Sequence, residues 1–199
     1  MDSNEISKLI YAVSILKNQP ELVDEIVSFQ ESLNSKIDDL VKKQKGLVCK
    51  KGCDYCCYGW EVKATIPELF VMVKYLNQLP EKTRQNLYTE LKDYLNQPEN
   101  LWKKCPFLQD HLCTVYNGRP FVCRTYSSYD ENICKEKREF TFPEFVEDAV
   151  KLVEKEEEKI TEELRSLFQA RTSIRNIQFD PIDGMFFINL FDIITVKPR

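Results

Sequence analysis

The sequence predicts a mainly α-helical fold: one helical domain of 199 residues with an irregular, cysteine-rich lobe. Three observations predict it. Apolar residues recur at steps of three and four before, within and after the cysteine region, which is the period of a helix with one buried face. Eight cysteines fall in two groups, residues 49–57 and 105–134, and four of the five glycines (Gly46, Gly52, Gly59 and Gly118) lie in or beside them. At 43% hydrophobic, a chain of this length can bury a core without other help.

Residues 1–46 read as N-terminal helices. Residues 5 to 17 place Ile6, Leu9, Ile10, Val13 and Leu16 on one helical face. Pro20 opens a longer helix with Leu22, Ile26, Phe29, Leu33, Ile37 and Leu40 inward, and Gly46 supplies the stop. Residues 47–135 hold the cysteines and a helical hairpin. Thr65-Ile66-Pro67-Glu68 is a capping box, in which the Thr hydroxyl and the Glu carboxylate satisfy free amides at a helix start. The helix behind it, to about Leu79, presents Leu69, Met72, Val73, Leu76 and Leu79. Pro80 begins a second helix with Leu87, Leu91, Tyr94 and Leu95 inward, and Pro98 ends it. This antiparallel return would carry Cys105 back towards Cys57.

Residues 100 to 135 read as irregular, with Pro106, Gly118 and Pro120 as turn signals. Their glycines suit loops that need positive φ or close backbone approach. Residues 136–199 hold a C-terminal helix and an apolar tail. Thr141-Phe142-Pro143-Glu144 repeats the Thr-x-Pro-Glu start, and one helix is expected from there to Ala170 through Val146, Ala149, Val153, Ile160, Leu164 and Leu167. The run Lys155 to Lys159 reads as its solvated face. Asp180-Pro181-Ile182-Asp183-Gly184 is a turn signal between two apolar stretches, which fits a short C-terminal β-hairpin; a short buried helix fits nearly as well. In either, Phe186, Phe187, Leu190 and Phe191 are expected in the core or a subunit interface.

The cysteine spacing carries the chemistry. Cys49, Cys53, Cys56 and Cys57 form C-x3-C-x2-C-C, which lets one loop wrap thiolates round a soft metal, zinc or iron–sulfur iron. Cys105, Cys113, Cys123 and Cys134 follow about fifty residues later. The first motif, together with Cys105-Pro106-Phe107-Leu108, Cys113-Thr114-Val115-Tyr116 and Arg119-Pro120-Phe121-Val122-Cys123-Arg124, resembles the YkgJ-like cysteine-cluster proteins, described as a zinc- or iron-chelating domain. The resemblance covers about residues 46 to 126 and leaves Cys134 outside its pattern. It implies metal binding and a site role for Arg124, but no reaction. Flagellin lysine methylases of the FliB type carry a similar cluster in a longer chain, and nothing outside the cluster brings their activity here.

Cys49, Cys53 and Cys56 also match the C-x3-C-x2-C of radical-SAM enzymes, with Tyr55 as the aromatic neighbour. The repeated βα units of that class are missing, and the further thiols would fill the ligand position it leaves open. Because neighbouring side chains diverge, Cys56 and Cys57 need not ligate the same atom. One allocation puts Cys49, Cys53 and Cys56 on one centre with a cysteine of the second group, and leaves Cys57 for another iron or a second metal. Eight thiolates suffice for two zinc sites, two clusters, or one cluster with spare thiols.

Lys50, Lys51, Arg119 and Arg124 can offset thiolate charge, although exposed lysines are commonly just solvated. Arg124, directly after a ligand candidate, is the strongest of these as a residue that binds the cofactor. His111, the one histidine, reads as a turn residue before it reads as a ligand. Tyr116, Phe121, Tyr126 and Tyr129 are expected to pack round the metal loops, since a net charge of −4 with no basic stripe argues against nucleic acid. No phosphate loop or Ser/His/Asp arrangement is present in the sequence.

The start, Met1-Asp2-Ser3-Asn4-Glu5, is acidic, and no continuous apolar core of a signal peptide or membrane span follows. The expected compartment is the cytoplasm, where reduced thiols favour metal over disulfides; disulfide scaffolds are also typically shorter and poorer in core. The functional expectation is an iron–sulfur cluster with a redox or electron-transfer role and a redox or protein partner. The alternative is zinc, in a structural or adaptor module or a metal carrier.

Overall fold

The helical periodicity at the start of the chain becomes α1 (Ser3–Asn18) and α2 (Leu22–Lys42). The structure, a computed structural model, describes residues 3–19, 21–59, 61–98, 103–136 and 143–189, with the backbone alone at 3–6, 9 and 17. The cysteine loop leads into β1 (Lys63–Thr65), α3 (Ile66–Asn77) and α4 (Glu81–Asn96). A second loop region holds β2 (Leu108–Gln109), β3 (Leu112–Cys113), α5 (Phe121–Thr125) and α6 (Glu131–Glu136). The chain continues with α7 (Phe145–Glu157), α8 (Glu162–Gln169), β4 (Arg171–Ser173), β5 (Ile177–Asp180) and β6 (Met185–Ile188). The fold is mainly helical, with three small antiparallel strand pairs among the described residues, β1 with β4, β2 with β3 and β5 with β6.

The capping box forms as expected. The Thr65 hydroxyl accepts from the Glu68 N–H at 3.4 Å, and Glu68 Oε2 accepts from the Thr65 N–H at 2.7 Å. The terminal hairpin also forms, across register pairs from Ile177 with Ile188 to Asp180 with Met185. It docks on the end of α3, where the Asn77 amide donates to Phe186 O at 2.9 Å and accepts from Phe186 N–H at 2.7 Å. Strand alternation then divides the aromatic residues: Phe186 is buried, whereas Phe187, expected in the core or a subunit interface, is 42% exposed in the single chain.

Two apolar clusters organise the molecule. One joins α1, α2, the start of α3 and α8 through Val13, Leu16, Ile26, Ile66 and Leu167. The other joins α3, α4, the terminal hairpin and the cysteine lobe through Met72, Leu76, Leu91, Phe107, Val115, Ile177 and Phe186. In α1 the buried face is displaced from the expected one. Ala12 and Ile15 are buried beside Val13 and Leu16, and Ile10 is half exposed, because contact with α8 and β4 selects that side of the helix.

The helix expected up to Ala170 is two helices. The Thr161 hydroxyl caps α8 by accepting from the Leu164 N–H, and Arg165 reaches back to Glu157 O at 3.1 Å, satisfying the end of α7. Nor is the charged run 155–159 uniformly solvated. Glu156 is buried between Lys36 of α2 at 2.7 Å and Lys159 at 2.8 Å, which ties α7 to α2. The region 100 to 135, expected to be irregular, contains the short elements β2, β3, α5 and α6. Pro20, Thr141, Phe142, Leu190 and Phe191, and the side chains of Ile6 and Leu9, lie outside what is described. No described helix is long and apolar enough to cross a membrane.

The Glu156 carboxylate gives the fold a pH dependence of known sign. Hydrogen bonds from Lys159 and Lys36 hold its pKa below the ordinary 4.5, so its contribution is present above that value and disappears as pH falls through the lowered one. Glu156→Gln is expected to flatten the acid limb of stability below about pH 5, with little change in its shape above pH 6, as read by urea unfolding across pH.

Candidate metal centre

The first cysteine loop is built from tight turns. Gly52 takes φ +84, and the Cys53 N–H donates to Lys50 O at 2.9 Å. A 3-10 turn, Tyr55–Cys57, then carries the adjacent cysteines. From Cys57 the chain pairs with the start of the second group. The Cys105 N–H donates to Cys57 O at 2.7 Å, Tyr58 bridges Lys104, and the Gly59 N–H donates to Lys103 O at 2.9 Å. The return of α4 therefore brings Cys105 beside Cys57.

The second group is held by three devices. The β2–β3 turn sets Cys113 opposite Leu108. Its corner residues, Asp110 and His111, both have positive φ, 47 and 61, the backbone a two-residue hairpin requires. His111 is an exposed turn residue whose Nδ1 meets Asp54 Oδ2 at 2.8 Å, linking this turn to the first cysteine loop. Cys123 lies on α5, whose first amide, Phe121 N–H, donates to Glu68 Oε1 at 2.6 Å. One buried carboxylate thus serves the starts of both α3 and α5. Cys134 lies on α6, near Cys49: the Val48 N–H donates to Ser128 O at 3.0 Å, and Ser128 hydrogen-bonds both the Cys49 and the Cys134 thiols.

Arg124 is 3% exposed. Its guanidinium donates to Asp38 Oδ2 at 2.5 Å, to Arg119 O at 2.8 Å and to Asn117 O. Arg119 donates to Asp38 Oδ1 at 3.0 Å and stacks on the Tyr116 ring at 3.8 Å. Asp38, on α2, therefore binds both arginines of the motif, and the lobe is clamped to the helices by a charge-assisted fork. Sequence reading missed Asp38, which stands 86 residues from Arg124 on an ordinary amphipathic helix. Lys50 and Lys51 are exposed. Tyr116 and Tyr129, expected to pack on the loops, are 59% and 50% exposed; the arginine and the Gly46 turn take only one face of each ring.

The thiols are electrostatic neighbours. Burial pushes Cys105 up to about 12, with the Cys113 and Cys56 charges adding to it. Burial raises Cys123 and Cys113 as well, and for Cys113 the Arg119 and Arg124 charges act in the opposite direction. Cys49 and Cys134 are raised by burial and then by Cys53. Between the adjacent pair, the Cys57 thiol donates to Cys56, so Cys56 is lowered and Cys57 raised. Their side chains, expected to diverge, meet.

Among the described residues, no three Cys, His, Asp or Glu side chains stand close enough to hold a metal ion as placed. The donor set nevertheless fits one. All eight cysteines lie between residues 49 and 134, charge on several of the thiols disfavours thiolate at Cys105 and Cys123, and a soft cation would remove that penalty. Residues 48–141, which include every cysteine, match the family model described as "CxxCxxCC: putative zinc- or iron-chelating domain". In this chain the first interval holds three residues, Lys50, Lys51 and Gly52, where that name has two. Searches of curated proteins and of solved structures give no match.

Two substitutions test the frame. Asp38→Ala leaves a buried guanidinium unpaired and is expected to cost about 3 kcal/mol in denaturant unfolding. Gly118→Ala would set a Cβ 2.8 Å from the Tyr75 ring, with an expected loss of about 1–3 kcal/mol read as a lower Tm.

Proposed function

We propose that the protein, whose residues 48–141 match the CxxCxxCC cysteine-cluster model, binds an iron–sulfur cluster through its cysteines and serves electron transfer with a protein partner. The observation that carries this reading is the setting of Cys105, Cys113 and Cys123. All three pack against the apolar core that holds Phe107 and Val115, with Arg119 and Arg124 close enough to act on Cys113. Exclusion of solvent and nearby positive charge are the means by which a protein tunes a thiolate-bound cluster.

Cys56 and Cys57 adjoin these residues: the Cys105 amide binds the Cys57 carbonyl, Cys105 and Cys113 act on the Cys57 thiol, and Cys56 acts on all three. Bound iron would supply one-electron chemistry there. The chain's own groups fix the ligands. Glu68 holds the start of α5 behind Cys123, the β2–β3 turn holds Cys113, and Asp38 keeps two guanidiniums beside the sulfurs while cancelling part of their charge. Arg124 acts in this proposal as a positioning residue, its donors engaged by Asp38 and two backbone carbonyls. Reduced thiols favour a cytoplasmic setting for such a site.

Metal analysis with a visible spectrum on protein purified without oxygen tests the proposal. Iron with acid-labile sulfide and broad visible absorption is expected, with both diminished in Cys105→Ala and Cys123→Ala variants. Colourless protein with stoichiometric zinc would overturn the redox reading and leave a structural site or metal carrier.

A further inference from the structure

A concentration of positive charge lies beside the first cysteine loop. Residues 40–51 hold five lysines, Lys42, Lys43, Lys45, Lys50 and Lys51, and no acid. The whole chain has a net charge of −4, so the chain outside this segment is more acidic still. All five side chains are exposed. Lys42 meets Asp39 at 3.3 Å, and Lys43, Lys45, Lys50 and Lys51 form no ion pair with the described residues. Cations suit the negative end of a helix dipole, which accounts for Lys42 and Lys43 at the end of α2. It does not account for the three lysines on the turns beyond.

Two contacts set an exposed ring among these turns. The Val48 N–H donates to Ser128 O at 3.0 Å, and Tyr129 Cδ1 lies 3.7 Å from where a Cβ on Gly46 would stand. Tyr129 is half exposed there. The acids of the adjoining stretch are engaged: Asp130 accepts from the Asn132 N–H at 2.8 Å, and Glu131 meets Lys135 at 3.1 Å. A tyrosine in this position offers a partner an apolar anchor, and the lysines round it offer long-range attraction.

We infer that this face, Lys43, Lys45, Lys50 and Lys51 round Tyr129, docks an acidic protein surface whose carboxylates pair with the lysines and whose apolar group seats on the ring. The inference rests on the electron-transfer reading above and names its partner by charge. Cys49 lies within the segment, so a protein held here comes up to the first cysteine loop. A nucleic acid or an anionic membrane fits this face less well. Each is an extended polyanion that the acidic remainder of the chain repels, whereas a protein needs carboxylates only over the patch. Lysine's hydrated, mobile ammonium also suits the small, reversible contacts of electron carriers, in which rim charges set the rate of association.

The test uses the full chain purified without oxygen and a fluorescently labelled glutamate–tyrosine copolymer as the acidic probe, with binding read by fluorescence anisotropy. Wild-type protein is expected to bind the copolymer and to lose affinity as salt rises from about 20 to about 150 mM. Lys43→Glu/Lys45→Glu is expected to weaken binding about tenfold and Tyr129→Ala about threefold. Lys82→Glu/Lys92→Glu, the same charge change on exposed lysines of α4, is expected to leave it within about twofold. No binding at low salt, or equal weakening by the two double variants, would overturn the inference. Tighter binding of polyuridylate or of phosphatidylserine vesicles at the higher salt, lost with Lys43 and Lys45, would overturn it in favour of RNA or a membrane. Carbodiimide coupling of the copolymer to wild-type protein needs no variant. Amides at Lys43, Lys45, Lys50 and Lys51 are expected, and coupling spread evenly over the exposed lysines would defeat the proposal. Iron and sulfide content of the same samples judges the redox reading separately. Zinc protein that binds the copolymer at this face defeats that reading and keeps the docking face; iron–sulfur protein that does not bind it does the reverse.

Discussion

Asp38 holds two guanidinium groups at once, and the placement of the cysteine lobe on the helices depends on that fork. Arg119 precedes α5 and Arg124 lies on it next to Cys123, and their other donors tie down the carbonyls of residues 116, 117 and 119. A buried arginine without a partner is costly, so the ion pair leaves few alternative positions for this turn. The same pair brings positive charge near Cys113 and Cys56, where crowded sulfurs need it. Stability and site electrostatics are thus linked through one carboxylate on α2.

Glu68 plays a comparable part with hydrogen bonds. One of its oxygens closes the capping box of α3 and the other receives the first amide of α5. The start of one helix is thereby used to fix the start of another. Gly118 completes the contact, since the Tyr75 ring of α3 occupies the space a side chain there would need. Cys105, Cys113 and Cys123 sit on a lobe locked to α2 and α3 by charge, hydrogen bonding and steric fit.

Much of this was legible in the residues. The capping box at Thr65 and the turn at Gly184 work through neighbours within a few positions, and both were read correctly because their physics is local. Thr161 followed by Glu162 and Glu163 is also a helix-start signal; the apolar spacing running across it hid the break between α7 and α8. Burial of Glu156 was not legible, because Lys36 comes from a different helix. The exposure of Phe187 and Ile10 depends on which side of a strand or helix meets its neighbour, and periodicity offers more than one side.

The sequence by itself determined the chemistry of this protein: eight soft sulfur donors at spacings a loop can wrap, helices whose caps and apolar periods are written locally, and glycines where the loops turn. The tertiary structure alone decided which of those donors become neighbours. Cys105 meets Cys57 through a backbone pairing across the helical hairpin, Cys134 meets Cys49 through Ser128, and the motif arginines meet Asp38 from 81 and 86 residues away. Such meetings depend on how helices pack and return the chain. Spacing along the chain encodes which atoms can bind a metal, and packing encodes which of them come together.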